Sequence, residues 1–301
     1  MAAACACLVL AVAATPALAK KKNKKPAKLG PVTTVTATGN TANVSGGLST
    51  ATATCAAGTV AIGGGFSTNA VNPGTFSIVI DDYRVGTQQW SVSAIFGSMV
   101  SVNGSINAVA YCRPSNRTIN DVTGSGNTPA VSIAAGSATA TCPSGQKLVA
   151  GGFQSTHTSS AVVIVQQNSS TQPGAWTVAG INNTSVSQTL TAHAYCMAGL
   201  KKTPKVLSAT TSPTIGTFAT ANQTSPGCPP PKKSKKKGKK KKKQPPQRLS
   251  AGGYSSPLTT SFSGSIPLYE ESDINGSGWF AKALNVGAPQ PTSVTSQGIC
   301  A

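Results

Sequence analysis

The acidic residues are the first side chains to consider for chemistry, because the chain has only six of them among 301 residues. Two carboxyl groups in different environments can perform acid–base catalysis. Four of the six acids occur as adjacent pairs, and an internal repeat aligns them with a pair of glutamines; the aligned pairs are Asp81-Asp82, Gln166-Gln167 and Glu270-Glu271. A position that accepts Asp, Gln and Glu does not require ionisation. We interpret the pairs as polar loops at strand exits, with binding of a sugar or another polar ligand as the alternative.

Other arrangements typical of catalysis are missing from the sequence. His157 and His193 have no counterparts in the other repeats, and His193 aligns with Val109 and Gln297, which favours a packed or solvated histidine. No Gly-x-Ser-x-Gly elbow, phosphate-binding loop, His-Glu-x-x-His or Cys-x-x-Cys motif occurs. The sequence therefore predicts no catalytic site, no cofactor and no metal site. A hydrolase is the least favoured alternative.

Basic residues are concentrated in three lysine tracts. The 25 Lys and Arg exceed the 6 Asp and Glu by 19, and the tracts at 20–28, 201–205 and 232–243 hold six, three and ten lysines. The remaining cations and acids balance, so the positive charge is attached to a neutral fold. A DNA-reading domain spreads Lys and Arg over one face, and we expect no sequence-specific nucleic-acid binding. The lysines of the third tract are Lys232, Lys233, Lys235, Lys236, Lys237, Lys239, Lys240, Lys241, Lys242 and Lys243.

The third lysine tract lies in a Pro/Lys-rich insertion at 229–246. We expect this insertion to be disordered, because like charges repel and prolines keep the chain extended. Clustered ammonium groups bind polyanions by releasing counterions, with an affinity that falls as salt rises. Envelope polysaccharide, anionic lipid surfaces and extracellular DNA are the candidate partners. The alternative is a solvating spacer that binds nothing specific.

The first 19 residues have the features of a secretory signal peptide. An apolar run at 8–14 precedes Ala17-Leu18-Ala19, a small-x-small cleavage site before Lys20. No other segment approaches the ~18 apolar residues of a membrane span. We therefore predict a secreted, extracellular protein, associated with the cell surface through its lysines. Cleavage leaves six cysteines, an even number that indicates disulfides in an oxidising compartment.

Three copies of one unit make up the mature chain. Ala51-Thr-Ala-Thr-Cys55 recurs as Ala138-Thr-Ala-Thr-Cys142, and each copy continues with Gly-Gly-Phe or Gly-Gly-Tyr, a Trp and a closing Cys. The predicted organisation is a signal peptide at 1–19, a lysine-rich tail at 20–31, and repeats at 32–118, 119–204 and 205–301. Six cysteines allow 15 pairings. Equivalent units should close equivalent loops, which favours Cys55 with Cys112, Cys142 with Cys196, and Cys228 with Cys300.

The hydrophobic pattern predicts an all-β, antiparallel fold. Apolar residues alternate with polar ones around Trp90, Trp176 and Trp279, and alternation is the signature of a strand. One Trp per unit is typical of a core anchor, with stacking on sugars as the alternative. The Gly-Gly pairs indicate a bulge or a close approach of another backbone. We prefer three tandem sandwich-like repeats, each closed by one disulfide; the alternative is a single core around a pseudo-threefold axis.

The pattern Cys-x-x-Gly, Gly-Phe and a terminal Cys, taken three times, distantly resembles vitelline membrane outer layer protein I, a β-prism of three Greek-key sheets. The fuller pattern Cys-x-x-Gly, Gly-Gly-Phe, Trp, Ala-Tyr-Cys more closely resembles a repeat of uncharacterised secreted bacterial proteins. Both resemblances imply a fold and export but no activity. Our leading hypothesis is an exported, non-enzymatic structural or adhesive protein, tethered by its lysines to anionic polymers. The alternative is a lectin-like module that uses the three polar pairs and the tryptophans.

Overall fold

The computed structural model describes residues 32–70, 75–98, 102–114, 118–158, 161–200, 202–229, 248–259, 264 and 266–301. Every regular element in these ranges is a β-strand, and the strand pairs are antiparallel, which confirms the predicted fold class. The expected signal peptide and lysine tail lie outside the described residues, as do 230–247 with all ten lysines of the third tract. In the described part of the chain, no helix is long and apolar enough to cross a membrane.

The strands follow the same order in each repeat. Repeat 1 contains β1 (Thr33–Thr38), β2 (Gly47–Thr54), β3 (Thr59–Ala70), β4 (Thr75–Val85), β5 (Gln89–Ser98) and β6 (Gly104–Pro114). Repeat 2 contains β7 (Ile119–Thr128), β8 (Ala135–Thr141), β9 (Gln146–Ser155), β10 (Val163–Gln172), β11 (Ala175–Asn182) and β12 (Gln188–Ala198). Repeat 3 contains β13 (Lys205–Thr211), β14 (Thr214–Ile215), β15 (Thr220–Thr224), β16 (Leu249–Ser255), β17 (Pro267–Asn275), β18 (Gly278–Asn285), β19 (Gln290–Pro291) and β20 (Val294–Cys300).

Each of the three six-stranded sheets combines three strands from one repeat with three from another. Repeats 1 and 2 share the order β2-β5-β4-β9-β12-β7, which we call the 1–2 sheet. The 2–3 sheet has the order β8-β11-β10-β16-β20-β13, and the 3–1 sheet has β15-β18-β17-β3-β6-β1. Equivalent strands occupy equivalent places in all three sheets. Of the two arrangements considered from the sequence, the structure therefore has the one in which the repeats share a core.

The two halves of each sheet meet through only two residue pairs. The pairs are Asp81–Gln154 and Asp82–Phe153 in the 1–2 sheet, Gln167–Ser255 and Asn168–Tyr254 in the 2–3 sheet, and Glu271–Ser67 and Ser272–Phe66 in the 3–1 sheet. One large cluster of buried apolar side chains contains the aromatic residue after Gly-Gly and the tryptophan of every repeat. Neighbouring repeats thus share few backbone pairs but many packed side chains.

The three predicted disulfides are all present. They join Cys55 to Cys112, Cys142 to Cys196, and Cys228 to Cys300, each with 5.6 Å between the Cα atoms. The linked cysteines are 57, 54 and 72 residues apart in the chain. On the chain-entropy model, closing a loop of that length stabilises the fold by about 4 kcal/mol.

The Gly-Gly pairs are explained by two close approaches. A Cβ on Gly151 would overlap the indole ring of Trp176 in the same repeat, and one on Gly152 would overlap the backbone oxygen of Asp82 in the neighbouring repeat. The equivalent glycines, Gly64-Gly65 and Gly252-Gly253, meet the corresponding tryptophan and neighbouring strand. The predicted approach of another backbone is thus confirmed, and it occurs where the halves of each sheet meet. The first glycine of each pair makes room for the core anchor, and the second makes room for the next repeat.

Candidate functional site

The aligned polar pairs lie inside strands, not in loops at strand exits. Asp81 and Asp82 belong to β4, Gln166 and Gln167 to β10, and Glu270 and Glu271 to β17. Each strand carries a one-residue irregularity in register just before or within the pair. Pairing with the neighbouring repeat shows that Asp81-Asp82, Gln167-Asn168 and Glu271-Ser272 are the equivalent pairs. The sequence alignment was one residue out for the second and third repeats.

The second residue of each structural pair holds the tryptophan of its own repeat. The indole Nε1 of Trp90 donates to Asp82 Oδ1 at 2.6 Å, and that of Trp176 donates to Asn168 Oδ1 at 2.6 Å. In repeat 3, Trp279 Nε1 donates to Ser272 Oγ at 2.9 Å. The tryptophans are at most 1% exposed, so they are core anchors and do not present a ring to a ligand. Asp82, Asn168 and Ser272 therefore satisfy a buried donor.

Asp82 is the one member of this set that carries an ionisable group. Burial is the main cause that raises the pKa of its carboxyl to about 7. The hydrogen bond from Trp90 lowers this pKa, whereas the charge of Asp81 raises it. Its second oxygen accepts from Asn168 Nδ2 at 3.5 Å, across the boundary between repeats. The carboxyl is 3% exposed. Asp82 is accordingly a structural group, and ionisation of its carboxyl at high pH lowers the stability of the fold.

The remaining polar residues of the predicted pairs are spread over three different sheets. Gln166 is fully buried, and its Oε1 accepts from Thr259 N at 2.9 Å. Glu270 lies 3.2 Å from the ammonium group of Lys282. Burial raises the pKa of Asp81 despite a hydrogen bond from the Ser155 backbone. Asp82, Gln166 and Glu270 are at most 9% exposed, and the lectin-like alternative would have to use the pairs without the tryptophans.

His193 lies in the most catalysis-like cluster of the described residues. Its Nδ1 is 3.0 Å from a carboxylate oxygen of Asp121, its Nε2 is 3.1 Å from Gln154 Oε1, and its ring stacks on Tyr83 at 5.3 Å. Both ring nitrogens are engaged, so neither is free to act as a base on a substrate. His193 pairs with Gly152 where Val109 pairs with Gly65, which confirms the alignment of these positions. The histidine is 5% exposed, and we interpret it as a packed, hydrogen-bonded group.

No group of three or more His, Cys, Asp or Glu side chains in the described ranges is arranged to hold a metal ion.

The three strands that pair with the closing cysteines contact one another at one end of the molecule. Ala61, Leu148 and Leu249 each pair with the closing cysteine of their own repeat. The residues that follow them are in contact: Ser250 Oγ donates to Val149 O at 3.3 Å, and a Cβ on Gly63 would lie 2.7 Å from Ser250 O. The three disulfides therefore lie at the same end, which we call the disulfide end.

All three lysine tracts join the folded body at the disulfide end. The first tract precedes Thr33, which pairs with Cys112. The second ends at Lys205, which pairs with Cys300. The third lies between Cys228 and Leu249. Cys228 is bonded to Cys300, and Leu249 pairs with Cys300 in the sheet. Tracts that are 170 or more residues apart in the sequence are therefore attached at the same end of the body.

The described cations at this end add to the positive charge. Arg113 follows the closing cysteine of repeat 1, and Arg248 pairs with the backbone next to Cys300. Burial first, and then the charge of Arg248, lowers the pKa of Arg113 to about 10. The disulfide end thus concentrates cations that the sequence spreads over the whole chain.

The spacing to the tryptophan is the signal that would have given the correct alignment of the polar residues. Asp82 and Asn168 precede their tryptophans by 8 residues, and Ser272 precedes its tryptophan by 7. Comparison with known proteins adds no further evidence on the site: no family model and no curated protein matches the chain.

Proposed function

We propose that this is an exported, non-enzymatic structural or adhesive protein, tethered through its lysine tracts to anionic polymers of a cell envelope or extracellular matrix. The observation that carries the proposal is the attachment of all three tracts at the disulfide end. Three disulfides support residence in an oxidising compartment.

Attachment at one end matters because it makes the tracts act together. Nineteen lysines in three segments bind one polymer as a multivalent cation, and the second and third segments bind at a high effective concentration once the first is bound. Each neutralised anion releases a counterion, so the affinity falls steeply with salt. The opposite end of the body is then free to face solvent or another molecule.

The disulfides supply mechanical support at the same place. A tether transmits load to the residues where it joins the fold, and these residues are paired with, or covalently bonded to, the closing cysteines. A crosslinked end resists local unfolding better than an end held by hydrogen bonds alone. This arrangement suits a protein that holds on to a polymer more than one that must release it.

The test compares the mature chain with a variant in which all ten lysines of 232–243 are replaced by Gln, so that length is kept while charge is removed. Binding is measured to polygalacturonate, to vesicles containing phosphatidylglycerol and to duplex DNA at rising NaCl. We expect the variant to bind the preferred polyanion at least tenfold more weakly and with a shallower dependence on salt.

A second variant, with the six lysines of 20–28 replaced by Gln, is the matched control for the contribution of a single tract. It should lose less affinity than the first variant, because it removes fewer charges. Equal binding by the wild type and the ten-lysine variant, to all three polyanions, would show that tethering is wrong. The ranking of the three polyanions identifies the partner class.

A further inference from the structure

A cleft of about 540 Å³ opens at the disulfide end, between repeats 2 and 3. Its apolar walls are formed by Leu148, Pro173, Pro204, Val206 and Ile299. Its rim carries Gln146, Thr171 and Gln172, together with Lys147, whose Nζ donates to Thr203 Oγ1 at 3.1 Å. Val206 is 42% exposed, which leaves an apolar wall open to solvent. None of the described residues that line the cleft is acidic.

The equivalent place in the 1–2 sheet is filled by two large side chains. Tyr195 stands just before the closing cysteine, and its hydroxyl accepts from Arg84 N at 2.7 Å. The guanidinium of Arg84 lies over the Tyr195 ring, 5.0 Å from its centroid, and donates to Ile119 O at 2.9 Å. The tyrosine ring also packs edge-on against Trp90 at 5.6 Å. An aromatic ring therefore closes this interface.

The 3–1 sheet repeats the arrangement. Tyr111 stands just before its closing cysteine, accepts from Ile274 N at 2.7 Å and packs edge-on against Trp279 at 5.7 Å. Arg84 and Ile274 each stand two residues after the side chain that holds the tryptophan of their repeat. Both interfaces thus combine a tyrosine with a large side chain from the neighbouring strand.

The 2–3 sheet has smaller residues at both positions. Ser170 is equivalent to Arg84 and Ile274, and Ile299 is equivalent to the two tyrosines. In place of a tyrosine hydroxyl, the side chain of Gln297 bonds to the backbone of Ser170. Its Oε1 accepts from Ser170 N at 2.7 Å, and its Nε2 donates to Ser170 O at 2.9 Å. The backbone is therefore satisfied by a smaller side chain. Ser170 and Ile299 both line the cleft, whereas Trp176 does not, so the cleft lies where the Arg84 side chain covers the tyrosine ring in the 1–2 sheet.

We propose that this cleft binds a small aromatic acid, with the ring between the apolar walls and the carboxylate near Lys147. In the 1–2 sheet this place is occupied by the planar guanidinium of Arg84, which lies over the ring of Tyr195, so the fold accommodates a flat group against an apolar wall here. Lys147 at the rim and the absence of acids among the lining residues favour an anionic substituent. A sugar is disfavoured, because the walls offer no aromatic face on which it could stack. The proposal is independent of the lysine tethers.

The test titrates the full mature chain with 4-hydroxyphenylacetate and with uncharged p-cresol, followed by ligand-observed NMR and calorimetry. We expect both probes to bind the wild type, and the acid to bind more tightly. Ile299→Tyr should fill the cleft and weaken both probes at least tenfold. Val206→Trp, at an exposed position that does not endanger folding, should have the same effect from the neighbouring strand, where Val206 pairs with Ile299.

Lys147→Gln distinguishes recognition of the charge from recognition of the ring. It should weaken 4-hydroxyphenylacetate severalfold while leaving p-cresol unchanged. Tyr111→Ile with Ile274→Ser should open an equivalent cleft in the 3–1 sheet and raise the stoichiometry for p-cresol from one to two. No binding of either probe to the wild type at 10 mM, or unchanged binding in folded Val206→Trp, would overturn the proposal.

Discussion

The surroundings of the three tryptophans, which we call the tryptophan layer, are alike in every repeat, whereas the interfaces between repeats differ from one another. Around the tryptophans, all three repeats keep the same ring, the same glycine beneath it and a polar partner for the indole. At the interfaces, two repeats insert a tyrosine, whereas the third has Ile299 beside a cleft. The comparison teaches that the residues shared by all repeats form the common core, and that a departure from the repeat leaves a cleft at one interface.

The tryptophan layer should be the region least tolerant of change. Gly151→Ala places a methyl group on the Trp176 ring, and the ring has no room to move because it is fully buried. We expect a loss of about 4 kcal/mol or more in the free energy of unfolding, or failure to fold. Thermal or chemical unfolding of the purified variant measures the loss.

Gly216→Ala is the matched control, because a Cβ there would lie 3.7 Å from its nearest neighbour, Ala219. This variant should unfold within a few tenths of a kcal/mol of the wild type. A Gly151→Ala protein as stable as Gly216→Ala would show that the Trp176 ring can move to accommodate the added methyl group.

The polar partner of the tryptophan offers a test of intermediate size. The pKa of the Asp82 carboxyl is about 7 in the folded protein, above its value of about 3.9 in an unfolded chain. The folded state therefore holds the proton more tightly, and stability should fall as the pH rises from about 4 to 7. Asp82→Asn, which copies Asn168, should gain on the order of 2 kcal/mol at pH 8 and almost nothing at pH 4.

Urea unfolding at pH 4, 6 and 8 measures this pH dependence. Asp273→Asn serves as the comparison, since burial and the charge of Glu271 also raise the pKa of Asp273 to about 7, but its side chain is only half-buried. Its effect should be smaller because solvent screens the charge. A wild type whose stability is constant from pH 4 to pH 8 would contradict the assignment of Asp82.

The smallest predicted effect belongs to the interfaces. Tyr195→Phe keeps the ring but removes the acceptor of the buried Arg84 N–H, so we expect a loss of about 1 to 2 kcal/mol. Tyr111→Phe should lose a similar amount through Ile274. Tyr83→Phe, at a half-buried tyrosine on the outer face, is the control for loss of a hydroxyl alone. Equal stability of all four proteins would show that these bonds do not hold the repeats together.

Much of this fold could be predicted because the chain repeats. Periodicity gave the strands, and the equivalence of the units selected one disulfide pairing from fifteen, which the structure confirms. The glycine pairs indicated a close backbone before the neighbour was known. These features depend on residues that recur, and recurrence is visible in a single sequence.

The sharing of sheets between repeats could not be predicted, because a strand alternates in the same way whichever repeat lies beside it. The polar alignment failed because it set Gln166 and Glu270 beside Asp81, whereas both lie at the register irregularity that Ile80 occupies in repeat 1, which cannot be seen without the strand pairing. The cleft was missed because a change from Tyr to Ile at position 299 is conservative in hydrophobicity. The difference in side-chain volume becomes visible only by comparison with the two interfaces that keep a tyrosine.

The pairing of β3 with β17 has a consequence for how the molecule is made. Glu271 pairs with Ser67, about two hundred positions earlier, so the ring closes only when its last unit has been synthesised. Until then, β3 and β10 have unpaired edges that invite aggregation. A nascent chain of this design needs a holding chaperone, or a delay in collapse, until its final third arrives.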